Sequence, residues 1–326
     1  LGIKEYWKEN IEYFYFGRKP WRNIFYPFLI IRFIIRLICF KPDIVLLNPS
    51  LGDKALKRDF IYLNICRFFR KKTSVFIHGF NFEYAKNADW KWISANLNKA
   101  LCIFVLSQDF KNELIRRGIK SDIHLTSTKV PDYFISGFDL SMRQGKAENI
   151  MYSGRIEKAK GVYETVDTFS ILKSQYKDLT LTFVGDGSEL PMLKQYVENK
   201  KIKDVRFTGE LRGEDFKKEY INADMYLFLS YTEGMPTVVL EAMIFGLPIF
   251  TRKVGGLIDF FENGKMGYIS SSLDPAVFAE AMKPYIENPA KMRSVPIYNS
   301  EYAKTHFVAS VVVRKFENTL KKYIEL

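Results

Sequence analysis

Short apolar runs of strand length alternate with longer helical patterns along almost the whole chain, and few folds accept that alternation. Parallel strands buried on both faces read as continuous runs of branched and aromatic residues, with crossover helices between them. In the first half the runs are Ile11–Phe16, Ile44–Asn48, Ser74–His78, Cys102–Ser107 and Ile123–Thr126. Between them lie an apolar helical pattern after Pro27 and others around Ala55–Arg70, Trp90–Ala100 and Gln108–Gly118. The second half restarts the alternation. Its strands are expected at Asn149–Tyr152, Thr180–Val184, Val205–Thr208, Met225–Leu229, Pro248–Thr251 and Gly267–Ile269. Its helices are expected at Gly161–Gln175, Leu190–Asn199, Glu214–Asn222, Pro236–Phe245, Pro275–Glu287 and about Val308–Ile324. The expected class is α/β, with two Rossmann-like domains facing a central cleft.

The polar segment 135–148 (ISGFDLSMRQGKAE) holds two glycines and is the expected boundary. The domains are then 1–140 and 149–300, with a C-terminal helix over 301–326 that can return to the first domain. Charge follows the same division. Residues 1–150 carry 25 basic and 14 acidic side chains, so they hold +11 of the net +12. The apolar stretch Ile24–Phe40 contains Arg32 and Arg36, each costing about 2.5–3.5 kcal/mol at a bilayer centre. Their i, i+4 spacing puts both on one helix face. A core helix with a solvated stripe and a helix resting on an anionic membrane surface both fit this composition. Cys39, Cys66 and Cys102 are too few and too scattered for a disulfide scaffold or zinc knuckle, and each is expected reduced and buried. The chain opens LGIKEYWKEN, with no signal-peptide core, and a cytoplasmic protein, peripheral on the inner membrane face, is expected.

Four turns in the second half carry candidate chemistry. Ser153-Gly154-Arg155-Ile156-Glu157-Lys158-Ala159-Lys160-Gly161 joins a strand to a helix, and its glycines and three cations suit an anion. An ordinary solvated turn fits that stretch equally. Phe183-Val184-Gly185-Asp186-Gly187 ends another strand, where glycine lets a ligand approach the backbone, and a plain Gly-Asp-Gly turn fits the residues equally. In Ser230-Tyr231-Thr232-Glu233-Gly234-Met235-Pro236-Thr237-Val238-Val239-Leu240-Glu241, Pro236 suits a first helical turn. The free N–H groups of Met235, Thr237 and Val238 can face an anion or a sugar hydroxyl. Glu233 precedes the helix and Glu241 lies in its first two turns, so the two carboxylates can accept hydrogen bonds from different parts of one polyhydroxylated ligand, and a carboxylate answering the helix dipole fits as well. Gly255-Gly256 is unremarkable by itself.

Taken in order, these residues resemble the family-4 retaining glycosyltransferases of the GT-B fold (glycosyl transferases group 1). The likeness runs from GRIEKAKG through VGDGSE, FTGEL, ADMYLFLSYTEGMPTVVLEAM, GLPIF and GG to NGKMGYI, about 120 residues in all. Its centre is Glu-x7-Glu, Glu233 to Glu241. The resemblance implies that Arg155 and Lys160 hold a donor diphosphate and that Glu241 binds the nucleotide ribose. It places Glu233 beside the transferred sugar, and Gly154, Gly185, Gly234, Met235, Pro236 and Thr237 around the donor. Lys158 is closer to a surface cation in that pattern. In the first half, Phe76-Ile77-His78-Gly79-Phe80 matches a strand whose histidine lies near the reacting sugar, whereas His124 and His306 have no such context. Asn48 and Ser50 follow a strand facing the cleft and are candidates for acceptor contact.

The implied reaction moves a sugar from a UDP- or GDP-linked donor to a hydroxyl of a glycan or lipid-linked acceptor, with retention, as in bacterial surface polysaccharide synthesis. No cofactor and no metal are implied, because no Asp-rich motif lies at the phosphate-facing turns. A non-catalytic or truncated, inactive sugar-nucleotide binder is one rival. A nucleic-acid binder is the other, and the basic residues lack a recognisable reading motif for it. Relatives begin with a strand and a Gly-rich loop that Leu1 is expected to follow, so the first domain is expected to lack its first strand, with Ile11–Phe16 as its second.

Overall fold

A computed structural model of the chain describes residues 4–15, 26–143, 145 and 147–325. Its backbone divides into two compact units, Leu1–Ser127 with Val312–Leu326, and Thr128–Val311.

The first unit contains α1 (Tyr26–Phe40), β1 (Ile44–Leu47), β2 (Ser50–Leu51) and α2 (Asp53–Phe68). Next come β3 (Lys72–Ile77), β4 (Gly79–Phe80), α3 (Phe82–Asn87) and α4 (Trp90–Leu97). Then follow β5 (Cys102–Val105), α5 (Gln108–Arg116) and β6 (Asp122–Leu125). Four strands make one parallel sheet in the order β1-β3-β5-β6, with Ile44 opposite Lys72 and Val75 opposite Ile103. Residues Ile11–Tyr15 form no strand, contrary to expectation, and Phe16 lies outside the described residues. The run is apolar and aromatic, but its rings are used elsewhere. Tyr13 accepts a hydrogen bond from Trp7 Nε1 at 3.2 Å, and Phe14 packs edge-on against Phe33 of α1 with centroids 5.3 Å apart. Among the described residues no helix is long and apolar enough to cross a membrane.

The second unit runs β7 (Asn149–Ser153), α6 (Val162–Gln175), β8 (Thr180–Val184), α7 (Leu190–Asn199), β9 (Val205–Gly209) and α8 (Gly213–Asn222). It continues with β10 (Met225–Phe228), α9 (Thr237–Ile244), β11 (Ile249–Arg252), β12 (Gly267–Ser270), α10 (Pro275–Glu287) and α11 (Lys291–His306). Its six strands are all parallel, in the order β12-β11-β10-β7-β8-β9. The winding direction reverses between β7 and β10. In a doubly wound sheet that reversal opens a crevice at the carboxyl ends of the two strands. Tyr152, Phe183, Phe228 and Phe250, one from each of four strands, are fully buried and make the sheet a rigid platform.

The last helix, α12 (Ala309–Glu325), belongs to the first unit from Val312 onward. There Phe316 stacks on Phe104 with centroids 4.0 Å apart, in a cluster with Cys102 and Leu320. The division between the units falls at Ser127/Thr128, so the polar segment 135–148 lies within the second. Its composition reads as a linker because its anchors are few. Phe138 packs edge-on against Phe245 at 5.0 Å, and Arg143 donates to the carbonyls of Tyr220, Ile221, Ala223 and Phe245.

Candidate active site

Both strands at the reversal lead into helices that begin without a side-chain cap. α6 starts from Gly161 at φ 68°, and α9 starts behind Pro236, which is extended at φ −73° and ψ 105°. First-turn N–H groups have no acceptor within their own helix, so each of these ends carries positive partial charge. The loop leading to α6 adds Arg155, Lys158 and Lys160.

Backbone contacts hold these loops in place. Gly154 N donates to Val184 O at 3.0 Å and Ile156 N to Asp186 O at 2.9 Å, tying the turn after β7 to the turn after β8. A Cβ on Gly185 would stand 1.9 Å from Gly154 O, so only glycine permits that approach. Gly255 does the same for the turn after β10. Its Cβ would stand 2.1 Å from Gly234 O, and Gly256 N donates to that same oxygen at 2.8 Å. The Gly255-Gly256 pair, unremarkable in the sequence, is what fixes the Glu233–Gly234 backbone. Thr128 Oγ1 adds a hydrogen bond to Met235 O at 3.3 Å.

Lys160 Nζ lies 2.6 Å from Glu233 Oε1, with the two side chains 16% and 15% exposed. Two residues 73 apart in sequence thus meet across the reversal, which sequence spacing alone does not show. Arg155, in the same loop, pairs with Glu157 at 2.9 Å, and its side chain is exposed. Gly154 lies in the turn after β7 and Gly185 in the turn after β8, whereas Gly234, Met235 and Pro236 form the turn before α9.

Glu241, in the second turn of α9, accepts a hydrogen bond from Tyr220 OH of α8 at 2.9 Å. Burial pushes its carboxyl up to about 7, and the Tyr220 bond opposes that rise. Behind it, Ser153 Oγ lies 2.8 Å from Tyr220 OH and 2.8 Å from Tyr226 OH. Burial raises both phenols well above their ordinary range, so they stay protonated and act as donors. Tyr220 and Tyr226 were not legible as site residues, since their role depends on helix α8 crossing to the end of β7.

His78 belongs to the first unit, in the single-residue gap between β3 and β4, where its N–H donates to Pro49 O at 3.2 Å. Burial lowers the pKa of its imidazole, and the nearby Asp59 carboxylate opposes this, so the neutral ring is favoured. Ser50 pairs with Gly79 in the β2–β4 ladder, while Asn48 is exposed just before it. Cys66 and Cys102 are buried and reduced, but Cys39 is exposed, because it sits on the outward face of α1 where apolar neighbours do not mean burial.

Residues 141–302 match the glycosyl transferases group 1 family. That segment, just under half of the chain, is what the chain shares with the family. The group 1 match covers the reversal, both uncapped helices and the Lys160–Glu233 pair. Among curated relatives, a glycogen synthase of Mycobacterium tuberculosis is 30% identical over 149 residues, covering 45% of this chain and 36% of its own length. The capsular polysaccharide biosynthesis glycosyltransferase CapM of Staphylococcus aureus is 25% identical over 184 residues, covering 54% of this chain and 46% of its own. The chain therefore spans less than half the length of these curated relatives. Among solved structures, Anabaena HepE in complex with UDP and glucose matches 93% of this chain and 84% of its own, at a TM-score of 0.72 and 18% identity. A sucrose-phosphate synthase from Thermosynechococcus elongatus matches 95% and 81%, at a TM-score of 0.77 and 18% identity. These likenesses show the GT-B class of two Rossmann-like units.

Proposed function

We propose that this group 1 chain is a retaining glycosyltransferase, moving a sugar from a nucleotide diphosphate donor to a hydroxyl of a glycan or lipid-linked acceptor in surface polysaccharide synthesis. The observation that carries the reading is the Lys160–Glu233 pair at 2.6 Å, seated between the uncapped ends of α6 and α9. A diphosphate suits the two helix ends and the cations of the α6 loop, and a sugar ring suits a carboxylate beside them. HepE, whose fold this chain shares, was solved with UDP and glucose.

In the proposed step the bond between the sugar's anomeric carbon and the diphosphate oxygen breaks, and its electron pair leaves with the diphosphate. The acceptor oxygen forms its bond on the same face and passes its proton to the departing phosphate oxygen. Lys160, Arg155 and the helix N-termini offset the charge that develops on the leaving group, which is the role a metal ion plays elsewhere. Metal independence is part of the proposal. Glu241 accepts the ribose hydroxyls, and Glu233 with the backbone of Gly234–Thr237 orients the sugar. His78 is assigned, on the family resemblance, as a hydrogen-bonding group toward that sugar.

The test is a thermal-shift panel of UDP- and GDP-linked sugars, followed by donor hydrolysis with the best responder. Stabilisation by one nucleotide class together with turnover supports the reading. Stabilisation without turnover identifies a binding protein, and no stabilisation by any nucleotide sugar overturns the proposal.

A further inference from the structure

Helix α1 is apolar on the side that faces away from its own unit. Leu29, Phe33 and Leu37 are buried, with Phe33 edge-on to Tyr62 of α2 at 4.8 Å between centroids. Phe28, Ile31, Ile35 and Ile38 are instead 60%, 56%, 53% and 52% exposed. At about 100° per residue these four fall in an arc of roughly 80°, centred about 180° from the buried three. Other exposed apolar side chains, such as Tyr133 and Leu273, are scattered singly, which is ordinary for a protein surface. Four on one helix face are not.

The same helix carries its charge along one flank of the stripe. Arg32 stands 4.7 Å over the Phe14 ring and donates to Tyr15 O at 3.2 Å, while Arg36 Nε lies 3.2 Å from Glu12 Oε1. Both side chains are exposed and held in place. At the helix's C-terminal end follow Lys41 and then Lys71, whose Nζ donates to Pro42 O at 3.3 Å, with Arg70 adjacent in sequence. Across residues 1–150 the net charge is +11.

We propose that α1 is a docking helix whose partner is an anionic phospholipid surface. Fifteen residues of helix are about 22 Å long, short of the roughly 30 Å of a bilayer's hydrocarbon core, so α1 lies in the interface plane. Its four outward side chains enter the acyl boundary, and Arg32, Arg36 and the cations at the helix end meet the headgroups. A second copy of the chain is a poorer partner, because pairing this face with itself brings the arginines of both copies together. The donor residues lie in the other unit, so the docking proposal and the catalytic one fail separately.

The experiment is co-sedimentation of the full chain with vesicles of phosphatidylcholine alone and of phosphatidylcholine with phosphatidylglycerol. The wild type is expected to pellet with the anionic vesicles only, and to be released by high salt. Ile31→Ser combined with Ile35→Ser is expected to lower partitioning at least ~10-fold. Arg32→Gln and Arg36→Gln are each expected to lower it roughly 5-fold. All variants should keep the wild-type melting temperature and its response to nucleotide. No pelleting of the wild type, equal pelleting with neutral vesicles, or partitioning unchanged in the isoleucine variant overturns the proposal. So does a lipid-free dimer, seen by light scattering, that the isoleucine substitutions dissolve.

Discussion

Lys160 and Glu233 are held 2.6 Å apart, both largely out of water, by turns that follow different strands on either side of the sheet reversal. The carboxylate thus occupies the cation that a donor diphosphate would use. A phosphate must compete with it, and substituting Glu233 removes the competitor. Glu233→Gln is therefore expected to bind UDP or GDP as tightly as the wild type or several-fold more tightly, while donor turnover falls by roughly 10²–10³. Lys160→Met is expected to lose both. Calorimetric titration with the nucleotide alone, set beside donor hydrolysis, separates the two effects, and near-normal turnover in Glu233→Gln would remove Glu233 from the mechanism.

Glu241 gives a pH dependence of known sign. Its carboxyl rises from an ordinary 4.5 to about 7 in the folded chain, through burial against one Tyr220 hydrogen bond. The folded state therefore holds a proton that the unfolded state has released, and stability falls as pH rises from about 4.5 to about 7, then levels off. The full effect is about 3 kcal/mol at most. Glu241→Gln keeps an acceptor for Tyr220 and carries no charge, so it is expected to melt higher than the wild type at pH 8 and alike at pH 4.5. The same substitution is expected to weaken nucleotide binding, since a neutral amide accepts ribose hydroxyls less strongly than a carboxylate. Melting curves across that pH range, with and without nucleotide, check both halves.

Gly255→Ala tests whether the Glu233–Gly234 turn is held by backbone. At φ 50° the added Cβ would meet Gly234 O at 2.1 Å, and neither atom belongs to a side chain that can swing aside. The Glu233–Gly234 turn must move or the short 3-10 turn Gly255–Asp259 must open, at a cost of about 1–3 kcal/mol. Urea denaturation is expected to show that loss, and nucleotide stabilisation is expected to shrink with it. A Gly255→Ala protein with wild-type nucleotide response would mean that the Glu233–Gly234 turn is positioned by other contacts.

Most strands of both sheets were legible because parallel strands covered on both faces must be apolar throughout, as in Met225–Phe228 and Cys102–Val105. Ile11–Tyr15 misled because a short apolar, aromatic run states only that its side chains are covered. It does not say whether what covers them is a sheet. Helix α11 was not legible because Pro296 lies inside it in a largely polar stretch, whereas α10, with Pro284 inside it, shows a clear apolar face through Phe278, Met282 and Tyr285. Tertiary bonds hold α11 nonetheless, with Asn299 Nδ2 donating to Leu247 O and Met266 O, and Ser300 Oγ to Ile244 O. At the candidate site, the order of glycines, cations and two glutamates could be read directly. The Lys160–Glu233 contact, the Tyr220 support of Glu241 and the Gly255 lock could not, since each depends on elements brought together by the winding of the sheet.

Arg143 shows how a stretch that looks like a linker can be structural, and it gives the last prediction. Its guanidinium donates to Tyr220 O at 2.8 Å, Ile221 O at 3.0 Å and Phe245 O at 2.8 Å, and also to Ala223 O. These are carbonyls at the C-terminal ends of α8 and α9, where no intrahelical donor exists. Burial lowers the guanidinium to about 10, still charged near neutrality, and that charge faces the negative ends of two helix dipoles. One side chain thereby anchors the two helices that carry Tyr220 and Glu241. Arg143→Met keeps much of the packing but strands several buried carbonyls, so a loss of about 3–5 kcal/mol is expected in urea denaturation. Arg143→Lys is expected to recover only part of it, because one ammonium cannot span the same fork of acceptors. If Arg143→Met instead unfolded at the wild-type midpoint, these carbonyls would have to be satisfied by water, and segment 135–148 would be a surface tether after all.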